Sequence, residues 1–325
     1  MPERVFLLGA TGTIGRATAA ALLAAGHEVV CLVRPKPNDP RRGLPDGVTL
    51  RFGEATDAAS LARDGFAGER FDALVSCLAS RTGAPADAWA VDHRAHVEAL
   101  RIALHAGVRH VVLLSAICVQ RPMLAFQHAK LGFEAALVAS GVDYSIVRPT
   151  AYFKSLSGQV GRVKQGKPYL IFGDGTLTAC KPISDADLAR YLATCLTEPT
   201  RRNRILPIGG PGPAMTPRQQ GEALFTLLGQ EPRFRSVPVG LLDAIIAGLD
   251  LAGRIVPRLR DKAELARIGR YYATQSMLVW NPQTQCYDAD ATPETGQDTL
   301  TAFQARLLRG EETVDLGEHA VFQTS

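Results

Sequence analysis

A chain of 325 residues is too long for a peptide or disulfide scaffold and falls short of three domains, so a nucleotide-type domain with a smaller appended part is expected. Apolar residues at 46% and charged residues at 21% are those of a soluble globular chain and exclude a disordered one. The 36 basic and 32 acidic residues leave +4, too slight for a strong nucleic-acid binder and suited to a small anionic ligand such as a phosphate-bearing cofactor.

The first apolar run begins at Val5, which leaves no room for a charged leader and its cleavage site, so a cytoplasmic chain is expected. From there β-branched runs at 5–8, 28–33, 48–52, 73–77, 110–114 and 143–147 alternate with helical periodicity at 14–25, 58–63, 87–106 and 126–140. Gly26 and Gly141 stand where left-handed caps are expected. Strands alternating with helices predict an α/β fold, a Rossmann-like doubly wound parallel sheet.

After Arg148 and Pro149 the rhythm changes, which divides the chain into a nucleotide domain at 1–150 and a substrate part at 151–325. Residues 181–197, with Asp185 and Asp187 opening a helix, are expected to rejoin the main sheet, so the smaller C-terminal domain is discontinuous. Thr216 caps a helix over 216–228 with Pro217 at its first position. The longest apolar stretch, 239–256, carries Asp243, Asp250 and Arg254, which excludes a membrane span. Packing within the second domain is its preferred use, ahead of capping a pocket or resting on a membrane surface. The six cysteines include no C-x2-C pair and read as reduced, mostly buried thiols. Asp288 and Asp290 read as a polar turn, and no metal is expected.

Gly9-Ala10-Thr11-Gly12-Thr13-Ile14-Gly15 follows the first strand and opens the first helix, the context that turns a glycine pattern into a dinucleotide site. Gly9 permits the tight turn, Gly12 the approach of a pyrophosphate, and Gly15 close helix packing. At the end of the second strand, where an NAD site would place a carboxylate, stands Arg34. A guanidinium there, helped by Arg16 and Lys36, fits a 2′-phosphate and argues for NADPH. After the third strand, Glu54 and Ala55 would lie beside the adenine, with Thr56 or Asp57 capping the next helix.

These residues resemble the short-chain dehydrogenase/reductase superfamily in its extended and atypical branches. That superfamily uses a Tyr-x-x-x-Lys pair on one helical turn, and the matching place here reads Phe126-Gln127-His128-Ala129-Lys130. Phenylalanine donates no proton, and no tyrosine in the chain has a lysine four residues later. The lysine is kept and the phenol is gone. Hydride addition to a polarised C=C bond, a different proton donor, or nucleotide binding without turnover each remain open, and Lys130 serves in all three. His128 reads as a surface or satisfied histidine rather than an acid. Cys77, Leu78 and Ala79, then Ser115, then Pro149 and Tyr152 end later strands and would flank the nicotinamide.

The tail carries a second pattern, Tyr271-Tyr272-Ala273-Thr274-Gln275-Ser276-Met277-Leu278-Val279-Trp280, then residues 287–293 and Gly296-Gln297-Asp298-Thr299-Leu300. With residues 126–133 and Lys181-Pro182-Ile183-Ser184-Asp185-Ala186-Asp187-Leu188, it resembles the NADPH-dependent divinyl chlorophyllide a 8-vinyl-reductase family. The resemblance implies reduction of the 8-vinyl group of a magnesium tetrapyrrole to ethyl, in chlorophyll and bacteriochlorophyll synthesis. Plant members carry a transit peptide, so a bacterial cytoplasmic form is expected. A broad apolar substrate needs aromatic or aliphatic walls, for which Phe126, Tyr152, Phe153, Met277 and Trp280 are the candidates. Two rival readings stand beside it: a non-catalytic NADP-binding sensor or assembly protein of the same fold, and a reductase of another conjugated C=C bond, similar to isoflavone-type reductases.

Overall fold

The computed structural model describes residues 2–35, 41, 43–256 and 258–313; Lys36 lies outside them. Strands β1 (Arg4–Leu8), β2 (Glu28–Val33), β3 (Thr49–Phe52), β4 (Ala73–Ser76), β5 (His110–Leu114) and β6 (Asp143–Pro149) occupy the expected runs. Helix α1 (Thr13–Ala24) links the first two strands, and α2 (Ala58–Ser60), continuing as a π-helical turn to Phe66, follows β3. Between β4 and β5 one long helical path runs through α3 (Pro85–Ala88), a π-helical stretch (Trp89–Ala95) and α4 (His96–His105). Helix α5 (Ala125–Ala139) precedes β6. Gly26 and Gly141 have φ of +85° and +75°, the left-handed turns their positions require.

The sheet has seven parallel strands, because β8 (Arg204–Ile208) pairs with β6 at the edge, giving the order β3-β2-β1-β4-β5-β6-β8. Alternation along β1 explains its two cores: Val5 and Leu7 face α1 and the helix α8 (Asp185–Thr194), while Phe6 and Leu8 face Phe66, Phe133 and Leu137. The chain reverses direction across the sheet between β1 and β4. A crevice therefore opens at their C-terminal ends, the place where ligands bind in open α/β sheets.

The remaining elements form smaller bodies. Short helices α6 (Phe153–Leu156) and α7 (Val160–Lys164) lead to β7 (Tyr169–Phe172), which pairs in parallel with β9 (Phe234–Val237). Beneath them lies α9 (Pro217–Leu227), whose Thr216 and Gln219 form a reciprocal cap. Helices α10 (Val239–Gly253) and α11 (Arg258–Thr274) form a hairpin tied by Asp243–Arg270 and by Asp250–Arg267 at 2.6 Å. As expected, α10 packs within the second part, but its main neighbour is α11 and its outer face stays open: Leu251 is 65% exposed and Ile255, just past the helix end, 86%.

The C-terminal β10 (Val279–Asn281) and β11 (Cys286–Asp288) form an antiparallel hairpin, and α12 (Leu300–Arg309) closes the described chain. The tail returns to the main domain. Buried Asp187 on α8 accepts the backbone N–H of Gln297 and Asp298, and Lys181 reaches the Thr292 carbonyl and Glu294. Gly296, with φ of +82°, passes so close that a Cβ would lie 2.0 Å from the Asp187 carboxyl carbon.

Candidate active site

The phosphate loop is shaped by contacts that only glycine allows. Gly9 has φ of +73°, and a Cβ there would stand 2.4 Å from the backbone of Cys77 and Leu78. A Cβ on Gly15 would meet the Gly9 carbonyl oxygen at 2.1 Å. Gly12 caps α1 in extended conformation with no side chain on the helix end, so the N–H groups of Thr13, Ile14 and Gly15 keep no intrahelical partner. This is a cradle for an anion. The Thr11 carbonyl accepts from Arg16 at 2.7 Å, and Arg34 is exposed just past β2. Past β3, Glu54 and Ala55 are half-buried, and it is Asp57 that caps α2, accepting the Ala59 N–H at 2.9 Å. Cys77 and Leu78 line the adjoining strand end half-buried, and Ala79 is exposed.

Lys130 sits on α5 one turn beyond Phe126. Its ammonium donates to Oδ1 of Asp92 at 2.9 Å, and that carboxylate has no exposed surface. Ser80 completes the arrangement, its hydroxyl donating to Asp92 Oδ2 at 2.5 Å. Asp92 escaped the sequence reading. It lies 38 residues from Lys130, inside the π-helical stretch between β4 and β5, a geometry that recurs at functional sites. One turn further, His96 Nδ1 donates to the Val91 carbonyl at 2.9 Å, so Nε2 accepts from the Ser76 hydroxyl at 2.8 Å. Burial, and then the Lys130 charge, push this imidazole down to about 4 and keep it neutral. His128 points outward and is exposed.

Ser115 follows β5 directly, but its hydroxyl donates to buried Glu134 at 2.5 Å, and Arg148 pairs with the same carboxylate. Pro149 closes β6 in the core, and Tyr152 stands half-buried before α6 with its phenol pKa raised by burial. Phe153 turns inward against Phe303 at 5.4 Å between ring centroids and is only 2% exposed.

The tail motif gathers on residues 117–121, the turn between β5 and α5. The Tyr271 hydroxyl donates to the Cys118 carbonyl at 2.9 Å, and that of Tyr272 lies 4.0 Å from the Cys118 sulfur. Gln120 is bonded to Leu278 and Trp280, each at 2.8 Å. Phe126, Tyr271 and Met277 share one buried cluster, while Trp280 remains half-buried with the Arg121 guanidinium 4.2 Å above its ring. Phe126 is thus walled by side chains of the C-terminal third. Asp288 accepts the Ala291 N–H at 2.8 Å in a turn, and no group of potential metal ligands occurs among the described residues.

Residues 9–199 match a family model described as NAD(P)H-binding. A rice protein, the chloroplastic divinyl chlorophyllide a 8-vinyl-reductase of Oryza sativa subsp. indica, is 49% identical over 98% of this chain and 82% of its own length. Its Arabidopsis thaliana namesake is 46% identical over 97% of this chain and 79% of its own. Among solved structures, an NADPH complex of a quinone oxidoreductase from Escherichia coli is similar with a TM-score of 0.66, at 19% identity over 94% of this chain and 99% of that one. The expectation of a bacterial cytoplasmic protein is overturned by these comparisons, since the relatives at 46–49% identity are chloroplastic proteins of plants.

Proposed function

Because the chain belongs to the divinyl chlorophyllide a 8-vinyl-reductase family, we propose that it reduces the 8-vinyl group of divinyl chlorophyllide to ethyl at the expense of NADPH. The observation that carries the chemistry is the pairing of a retained Lys130 with a buried Phe126 where a phenol would stand. Carbonyl chemistry needs that phenol; saturation of a C=C bond does not.

NADPH, when bound, would supply the hydride that together with one proton saturates the vinyl group, the terminal carbon being the expected acceptor. The uncapped end of α1, with Gly9, Gly12 and Gly15, would hold the pyrophosphate, and Arg34 the 2′-phosphate. Glu54 and Ala55 would bound the adenine. Cys77, Leu78, Pro149 and Tyr152 would flank the nicotinamide, with Ser115 left to packing because Glu134 occupies its hydroxyl. Lys130, fixed by Asp92, would hold the nicotinamide ribose. Phe126, Met277 and Trp280 would align the pigment and exclude water.

The exposed apolar face of α10 supports a peripheral contact with a membrane surface, from which so apolar a substrate could be drawn. No described helix is long and apolar enough to cross a membrane. The test of the reading is incubation of purified protein with NADPH and divinyl chlorophyllide. A blue-shifted Soret band and a two-hydrogen mass gain are expected; tight NADPH binding without turnover would instead favour a nucleotide sensor.

A further inference from the structure

Three cations enter the interior opposite carboxylates: Lys130 meets Asp92, Arg148 meets Glu134 and Lys181 meets Glu294. Arg121 is different. It is half-buried at the end of the 117–120 turn, and among the described residues no carboxylate lies within ion-pair distance of it. Its partners are neutral. The guanidinium lies 4.2 Å over the Trp280 ring and donates to the Gln275 side-chain oxygen at 2.8 Å, an oxygen that also accepts from the Tyr287 hydroxyl at 2.9 Å.

Stacking and the Gln275 bond fix the plane of the fork beside the Tyr287 hydroxyl, while no described carboxylate compensates the charge. A cation partly withdrawn from water in this way favours an arriving anion. The surroundings restrict which anion fits, because the half-buried Trp280 ring flanks the guanidinium and buried Tyr271, whose hydroxyl donates to the Arg121 carbonyl at 3.3 Å, backs it. A ligand matching both features is a flat apolar body with a carboxylate on its edge.

We propose that Arg121 is the carboxylate anchor of the substrate site, binding the propionate of the tetrapyrrole, with Trp280 and Gln275 holding the guanidinium in position. The proposal rests on the reductase reading above and makes the enzyme selective for the free acid over its ester. A charge-assisted, bidentate contact of this kind corresponds to about 10- to 100-fold in affinity.

The experiment compares kcat/KM for divinyl chlorophyllide and for its propionate methyl ester, using wild type, Arg121→Gln and Arg121→Lys, with NADPH affinity by fluorescence titration as the check on folding. Wild type should prefer the acid by about 10- to 100-fold, chiefly through KM. Arg121→Gln should bring the acid-to-ester ratio near one, and Arg121→Lys should recover part of it. A wild type indifferent to esterification overturns the anchor, even if the variants fail to fold; so does an equal loss by Arg121→Gln on both pigments. Should wild type bind NADPH yet reduce neither pigment, the reductase reading itself falls and takes the anchor with it.

Discussion

A buried ion pair is a costly way to place a lysine, and the Lys130–Asp92 pair is held by Ser80 as well. Removing one charge strands the other, so Asp92→Ala should cost about 3–5 kcal/mol of stability. Replacing both, as Lys130→Met with Asp92→Leu, should restore the unfolding midpoint while turnover stays low. Recovery of turnover along with stability would reduce the pair to packing. At the other end of the site, Arg34→Ala should weaken NADPH by about 10-fold or more and NADH by far less, since only the former carries the 2′-phosphate. Equal losses in titrations of both cofactors would refute phosphate recognition by Arg34. The glycine loop and Lys130 were legible because each is a local pattern with fixed spacing. Asp92 was not, because its partner lies on another helix and no spacing joins them.

Among the elements, α10 packs within the second part as its sequence suggests, but its open outer face was not legible. Periodicity reports how apolar a helix is, but what covers it is a tertiary fact, and here the outer stripe with Leu241, Ile245, Leu251 and Ile255 is exposed. The two aspartates that break the run are turned to arginines of α11 at the seam, so they do not interrupt that stripe. Arg254 and Arg258 stand at the hairpin's turn, a rim suited to anionic headgroups. Sedimentation with vesicles containing anionic lipid should therefore retain the protein, and Leu251→Asp with Ile255→Asp should release it. Retention of that double variant at wild-type level would exclude α10 as the contact. Strand β8 was missed for a different reason. Its run is short and contains Pro207, whose lack of an N–H is tolerated in an edge strand pairing only with β6.

For the whole molecule, the alternation of strands and helices was enough to give the doubly wound sheet, because buried parallel strands read as short apolar runs. The closure by the tail was not readable, since Lys181 and Asp187 meet residues 292–298 only after folding. The same sheet buries two histidines, His96 against Ser76 and His110 against Ser145, and burial is the leading cause that brings each down to about 4. In the unfolded chain a histidine titrates near ~6.5. Between these values the unfolded state binds more protons, so stability is full above about pH 6.5 and is lost as pH falls toward 4. The urea midpoint should be lower at pH 5 than at pH 7; a level midpoint across that window would mean that neither imidazole is sealed in the fold.

The transfer of hydrogen itself is the most direct test of a site that keeps its amine but lacks its phenol. Purified protein should be given divinyl chlorophyllide and NADPH doubly deuterated at nicotinamide C4, and the product examined by mass spectrometry and NMR. One deuterium on the terminal carbon of the new ethyl group, with the second hydrogen taken from solvent, is the predicted result. An ethyl group formed without label would contradict it, as would label retained wholly in the cofactor.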